Sequence, residues 1–206
     1  MTTKLLVPGL NGSGEGHWQR HWLLDDPEAI LIQQSNPGKP DLDLWLENLE
    51  SVLALHPGAL LIAHSMGAIV VARLGHRPAR HLVKGALLVA PCDLNRVESL
   101  HPGVLREIRD VPLGRLGFPS IVVASRNDPY MAFPEAAAFA NVLGSDLVDL
   151  GHAGHINIAS GHGRWDRGYR LASHLERHSY VSQLTMQGAP APPSWAPDAH
   201  ANFTVE

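Results

Sequence analysis

Six short runs of the chain are apolar at nearly every position: "KLLVPGL" (4–10), "AILIQ" (29–33), "ALLIAH" (59–64), "GALLVA" (85–90), "SIVVAS" (120–125) and "DLVDL" (146–150). A strand with one face in water alternates apolar and polar residues, so continuous apolar runs predict strands buried on both faces. Helix-length segments separate them, at 17–25, 42–55, 66–76, within 94–110, 134–143 and 165–178. Strand and helix in alternation predict a parallel sheet built with right-handed crossovers. The expected fold is α/β: a doubly wound, three-layer domain with six strands in the order 2-1-3-4-5-6. The segment 91–118 is too short to form a large cap domain.

The chain has 206 residues, 45% of them hydrophobic, which is material for one substantial core. From Gln187 the composition changes to "QGAPAPPSWAPDAHANFTVE", without periodicity, so the expected division is a domain over 1–185 and a Pro/Ala-rich tail over 186–206. A net charge of -4 and the lack of any Lys/Arg run argue against a nucleic-acid surface. Cys92 is the single cysteine, which excludes an internal disulfide, and "MTTKLLVPGL" has no secretory h-region. A cytoplasmic location is the default expectation. His64 and Ser65 interrupt the longest apolar stretch well short of the roughly 18–20 residues that a membrane helix needs. The expected partner is a small acyl substrate, with no nucleic acid and no membrane, and nothing indicates a protein partner.

The run "LLIAHSMGAIVVARLG" (60–75) passes from strand character to helical spacing with no loop between. Buried strands normally reach helices through hydrated loops, because backbone groups leaving the sheet need partners. The pentapeptide "AHSMG" has the spacing of a G-x-S-x-G elbow with Ala63 at the first glycine. Small residues at 63 and 67 let strand and helix approach, and Ser65 on so sharp a turn would project its hydroxyl above the sheet. A serine that merely caps the helix is the alternative.

A serine hydroxyl becomes a nucleophile when a histidine takes its proton, and in this architecture serine, acid and histidine follow in that order. Asp128 lies past the fifth run in "SRNDPY", and His152 and His155 past the sixth in "GHAGHIN". Carboxyl ends of parallel strands form the functional crevice, so the three positions converge there. Asp93, in "APCD" after the fourth run, is a second candidate acid. The sheet order favours Asp128, since its strand adjoins the histidine loop whereas Asp93 lies nearer the elbow. His155 follows a glycine-rich turn a few residues beyond the last strand, a usual place for the base to reach back over the sheet.

Four stretches, "VPGLNGSGEGHWQRHW", "LLIAHSMGA", "PSIVVASRNDPY" and "GHAGHINIASGHGRW", together resemble the YdeN-like, retinoblastoma-binding-protein-type small serine hydrolases of the α/β-hydrolase superfamily. The resemblance spans most of residues 4–180 and implies the α/β-hydrolase fold. It also implies hydrolysis of small esters or related acyl bonds, with Ser65, Asp128 and His155 as nucleophile, acid and base. Ala63 departs from the elbow pattern, and Pro8 stands where many superfamily members carry histidine.

The loop "PGLNGSGEG" (8–16) offers no frame for a dinucleotide fingerprint, and Gln33 and Gln34 stand where a ribose-binding acid would be expected. An oxyanion hole suits it better: the amide of Leu10 or Asn11, with Leu10 favoured, together with that of Met66. His17 and His21 have zincin spacing but lack the glutamate, and Trp18 with Trp22 reads as a packing stripe. His152, His155 and His162 in a glycine-rich loop make a poor metal cluster, so neither metal nor cofactor is expected. Cys92 reads as a buried or pocket-edge thiol, and His64 as packing beside the elbow. The main rival to a hydrolase is a catalytically idle binding protein on the same fold, and thioesterase, amidase or acyltransferase variants of the chemistry stay open.

Overall fold

The computed structural model describes residues 2–105 and 113–186, with the backbone alone described over 178–186. Its strands are β1 (Lys4–Val7), β2 (Ala29–Leu31), β3 (Ala59–His64), β4 (Val83–Val89), β5 (Ser120–Ala124) and β6 (Asp146–Asp149). They form one sheet in the order β2-β1-β3-β4-β5-β6, every neighbouring pair parallel. That is the sheet expected from the six apolar runs.

The side-chain period of two explains why the runs are apolar throughout. Leu5, Val7, Leu61, Ala63, Ala86 and Leu88 belong to one core, shared with α2 (Leu42–Leu55), α3 (Met66–Arg73), α4 (Leu94–Leu100) and α5 (Phe133–Leu143). The intervening Leu6, Leu60, Ile62, Leu87 and Val89 belong to the other core, beneath α1 (Trp18–Asp25) and α6 (Asp166–Met186). Each fully buried aliphatic side chain contributes on the order of 2 kcal/mol, so both faces resist polar substitution. In α2 the buried residues are Trp45, Leu46, Leu49 and Leu53, one stripe at helical spacing, and Asp41 caps it by accepting from the amides of Asp43 and Leu44.

Most boundaries shift by a residue or two from expectation, and three differ by more. β1 ends at Val7 rather than at 10, because Pro8 brings no N–H to the ladder. The helix expected over 66–76 ends at Arg73 and tightens into a 3₁₀ turn, Leu74–His76, followed by a second, Pro78–Leu82, since Pro78 cannot continue an α-helix. α6 continues past the expected end at 178 to Met186, which places residue 186 in the helix rather than in the tail. The rest of the expected tail lies outside the described residues, as does the later part of the looser 94–110 segment beyond α4. The described part of the β4–β5 connection carries one seven-residue helix, so no large cap is built from it.

Candidate active site

β3 passes to α3 through a single residue. Ser65 has φ 53° and ψ -121°, a conformation that costs an L residue about 1–3 kcal/mol and persists only where its surroundings enforce it. Its side chain makes no capping bond to α3, which rules out the helix-cap alternative. Enforcement comes from close approach: a Cβ on Gly67 would stand 2.3 Å from the carbonyl oxygen of Val7 and 2.7 Å from that of Pro8. A Cβ on Gly9 would stand 2.8 Å from that of Ser65. Ala63, fully buried in register between Val7 and Leu88, shows that alanine is tolerated at the elbow's first position.

Ser65 Oγ lies 2.9 Å from Nε2 of His155, and Nδ1 of that ring lies 3.0 and 2.9 Å from the two carboxylate oxygens of Asp128. All three residues are buried, at 8%, 7% and 8% exposure. An ionised carboxylate only accepts, so Nδ1 carries the proton of the neutral imidazole; Nε2 is then the acceptor and the Ser65 hydroxyl the donor. Asp128 is itself oriented, because its Oδ1 accepts the Tyr130 amide at 2.9 Å. The expected serine, acid and histidine thus stand in one hydrogen-bonded chain at the carboxyl ends of β3, β5 and β6.

The rings around His155 are close. Tyr130 and His64 have centroids 4.4 and 4.9 Å from it, and the Tyr130 hydroxyl is paired with His101 Nε2 at 2.9 Å. His17, at the N-cap of α1, accepts the Gln19 amide through Nδ1 and packs on His64 at 4.9 Å. Burial, and then the charge on His155, hold His17 down to about 4 and His64 well below the usual histidine range. Burial pushes the Cys92 thiol up to about 12, against the hydrogen bond it shares with Ser65. A protonated, 1% exposed thiol is no rival nucleophile at neutral pH.

The other sequence candidates separate from this chain. Asp93 is the N-cap of α4, its Oδ1 accepting the amides of Asn95 and Arg96 at 2.7 and 3.1 Å. His152 is exposed, and His162 pairs with Ser160 Oγ at 3.3 Å and packs edge-on over Trp165. Among the described residues no group of three or more His, Cys, Asp or Glu is placed to hold a metal ion. Near the elbow, Asn11 gives its amide to the carbonyl of Pro37 at 2.8 Å, which leaves Leu10 as the candidate of the two; Met66 supplies the first amide of α3.

Two contributions had no signal in the sequence. Gln19, fully buried on α1, donates from Nε2 to the carbonyls of Ile62 at 2.8 Å and Val7 at 3.3 Å, bracing the ends of the strands that carry the serine and the glycine-rich loop. Trp18, expected only as packing, donates from Nε1 to the carbonyl of Ile156 at 2.8 Å. Residue type alone could not reveal either, because the partners are backbone carbonyls distant in sequence.

A parallel doubly wound sheet with a serine on its β3–α3 elbow, hydrogen-bonded to a histidine beyond β6, defines the α/β hydrolases. A serine hydrolase family model matches residues 4–174. The chain belongs to that serine hydrolase family, as a YdeN-like α/β-hydrolase. The crystal structure of a YdeN-like protein from Pectobacterium atrosepticum SCRI1043 is 34% identical, with a TM-score of 0.73 over 89% of this chain and 92% of that one. YdeN of Bacillus subtilis (strain 168) is 26% identical over 164 residues, 73% of this chain and 83% of YdeN. A carboxylesterase from Bacillus cereus, 17% identical over 85% of this chain and 88% of that one, shares the fold at a TM-score of 0.56.

Proposed function

We propose that this serine hydrolase cleaves small acyl esters through a Ser65–His155–Asp128 triad and an acyl-enzyme. The observation that carries the reading is the hydrogen-bonded chain from Ser65 Oγ through His155 to Asp128. His155 Nε2 takes the hydroxyl proton as Oγ attacks the carbonyl, and the carbonyl's π electrons move onto its oxygen. The Leu10 and Met66 amides face that oxyanion, a contribution of about 3 kcal/mol per donor. The tetrahedral adduct collapses, His155 gives its proton to the departing alkoxide, and the acyl group stays on Ser65. Water then repeats the sequence: His155 takes its proton, hydroxide adds to the acyl carbon, and Ser65 leaves as the protonated hydroxyl. Asp128 keeps Nδ1 protonated and stabilises the imidazolium at each stage.

A small acyl ester is the substrate class that the reading requires, with no cofactor consumed. A single buried cysteine fits a reducing compartment, and the reading places the reaction in the cytoplasm. No helix among the described residues is long and apolar enough to cross a membrane. The test is fluorophosphonate labelling followed by turnover of p-nitrophenyl esters of increasing acyl length. Labelling at Ser65, lost with turnover in Ser65→Ala while the circular dichroism is unchanged, is expected. Labelling at another serine would move the nucleophile away from Ser65, and no labelling together with no turnover would replace the enzyme by an idle binding protein.

A further inference from the structure

The histidine directly before the nucleophile is engaged with the base. His64 is 6% exposed, and its Nε2 lies 3.0 Å from the backbone carbonyl oxygen of His155. A carbonyl only accepts, so Nε2 carries a proton and donates it. The next carbonyl along, that of Ile156, receives the indole N–H of Trp18 at 2.8 Å. Two aromatic donors, one ending β3 and one beginning α1, therefore hold two successive carbonyls of the loop that carries the base.

That loop is one that needs holding. Gly151 and Gly154 have φ of 69° and 59°, which glycine adopts freely, but Ile156 has φ 49°. A β-branched residue in the left-handed region is a true outlier, costing on the order of 1–3 kcal/mol. Left to local preferences, the segment would relax toward negative φ at 156 and turn the neighbouring carbonyls and the His155 side chain away. Ile156 is fully buried, so packing resists part of this, and the two side-chain bonds fix the direction of the carbonyls themselves.

We propose that His64 is a positioning residue for the catalytic base, its Nε2–H holding the His155 carbonyl so that the imidazole stays in line between Ser65 and Asp128. The inference rests on His155 being the base, as argued above. Because His64 and Ser65 are consecutive, one strand end sets both the nucleophile and the backbone of its base. A phenylalanine would fill the same aromatic site, where His64 packs against His17, Trp18 and His155 with centroids 4.9, 5.7 and 4.9 Å away. What the phenyl ring lacks is the donor. Buried and neutral, His64 also adds no charge against the imidazolium that forms on His155.

The test compares His64→Phe, which keeps the ring and removes the donor, with His64→Gln, whose amide nitrogen falls near the position of Nε2. Turnover of p-nitrophenyl acetate and hydrogen–deuterium exchange of residues 151–157 are read on both. In His64→Phe, kcat should drop about 10- to 100-fold with KM within about 3-fold of wild type, since misplacement by an ångström costs on that order. Exchange over 151–157 should quicken in the same variant. His64→Gln should recover both readouts to within about 5-fold. Wild-type kcat and exchange in His64→Phe would overturn the proposal, as would a His64→Gln protein as impaired as His64→Phe. Should His64→Phe fail to fold, His64→Asn replaces it: its shorter amide cannot reach the carbonyl, so it should show the loss that His64→Gln does not. Turnover surviving in His155→Ala would overturn the assignment of the base itself, and with it the catalytic role given to His64.

Discussion

Gly67 and Val7 are in contact through backbone alone: the space for a Cβ on Gly67 lies 2.3 Å from the Val7 carbonyl oxygen. No side-chain rotation can relieve a clash with a backbone carbonyl. Gly67→Ala must push α3 away from the end of β1, at a cost of about 2–3 kcal/mol, and this displaces Ser65 from the glycine-rich loop. Urea denaturation should report that destabilisation, and kcat on a short ester should fall more than tenfold. Wild-type stability would show that the elbow has slack that these distances deny.

Asp128 and Asp93 both follow strands, but they bond to different groups. Asp128 faces the imidazole, so Asp128→Asn should lower kcat by about 10⁴, the loss seen when a triad acid becomes an amide. Asp93 caps α4, and asparagine caps as well as aspartate, so Asp93→Asn should change kcat and stability little. Measuring kcat for both on one ester decides it; a severe loss in Asp93→Asn with Asp128→Asn near wild type would move the acid to position 93.

Acid should weaken the fold through His17. Its folded pKa is lowered to about 4 by burial and then by the charge on His155, against about 6.5 in the unfolded chain. Between pH 6.5 and 4 the unfolded chain therefore holds a proton there that the folded protein lacks. Stability from this residue is fully present above about pH 6.5 and falls with pH through that window, by about 1.4 kcal/mol per unit. His64, lowered in the same direction by burial, adds to the slope. In His17→Asn the amide oxygen can still accept the Gln19 N–H while the titration is gone. Urea midpoints measured across this range should fall less steeply than wild type, by about one proton's worth; an unchanged slope would mean that His17 titrates normally.

Trp18 and Trp22 sit one helical turn apart, yet their indole nitrogens differ. Trp18 Nε1 donates to Ile156, whereas the buried Nε1 of Trp22 has no hydrogen-bond partner among the described residues. Trp22→Phe removes an unsatisfied donor, which offsets part of the lost packing, and should cost no more than about 1 kcal/mol. Trp18→Phe leaves the Ile156 carbonyl unpaired and should cost about 1–3 kcal/mol more. Equal losses in chemical denaturation would show that the Trp18 bond adds nothing to stability.

The features legible in the sequence were those written in short-range chemistry. Continuous apolar runs such as "ALLIAH" announce buried strands because both neighbouring layers take alternate side chains, and "AHSMG" announces an elbow because only small residues let β3 and α3 meet. The order of Ser65, Asp128 and His155, and the strand ends they follow, predict the hydrogen-bonded chain that joins the three side chains. His64 was read as packing and Trp18 as part of a stripe because their partners are carbonyls 91 and 138 positions away. Gln19 was hidden for the same reason, reaching 43 positions along the chain to Ile62. A carbonyl carries no residue identity, so nothing in the one-letter code marks which side chain it will meet.

The bond from the Asn11 amide to the Pro37 carbonyl reaches further than its length. The peptide unit that carries the Asn11 N–H is rigid and adjoins the one that carries the Leu10 N–H, so gripping one limits how far the other can swing. Pro37 belongs to the surface connection between β2 and α2, among exposed residues open to change. An insertion or a stiffened turn there would re-aim the Leu10 amide without touching Ser65, Asp128 or His155. With the Leu10 amide in the oxyanion hole, as proposed above, the reaction rate would drift through a stretch of surface whose sequence looks idle, with the chemical groups themselves left untouched.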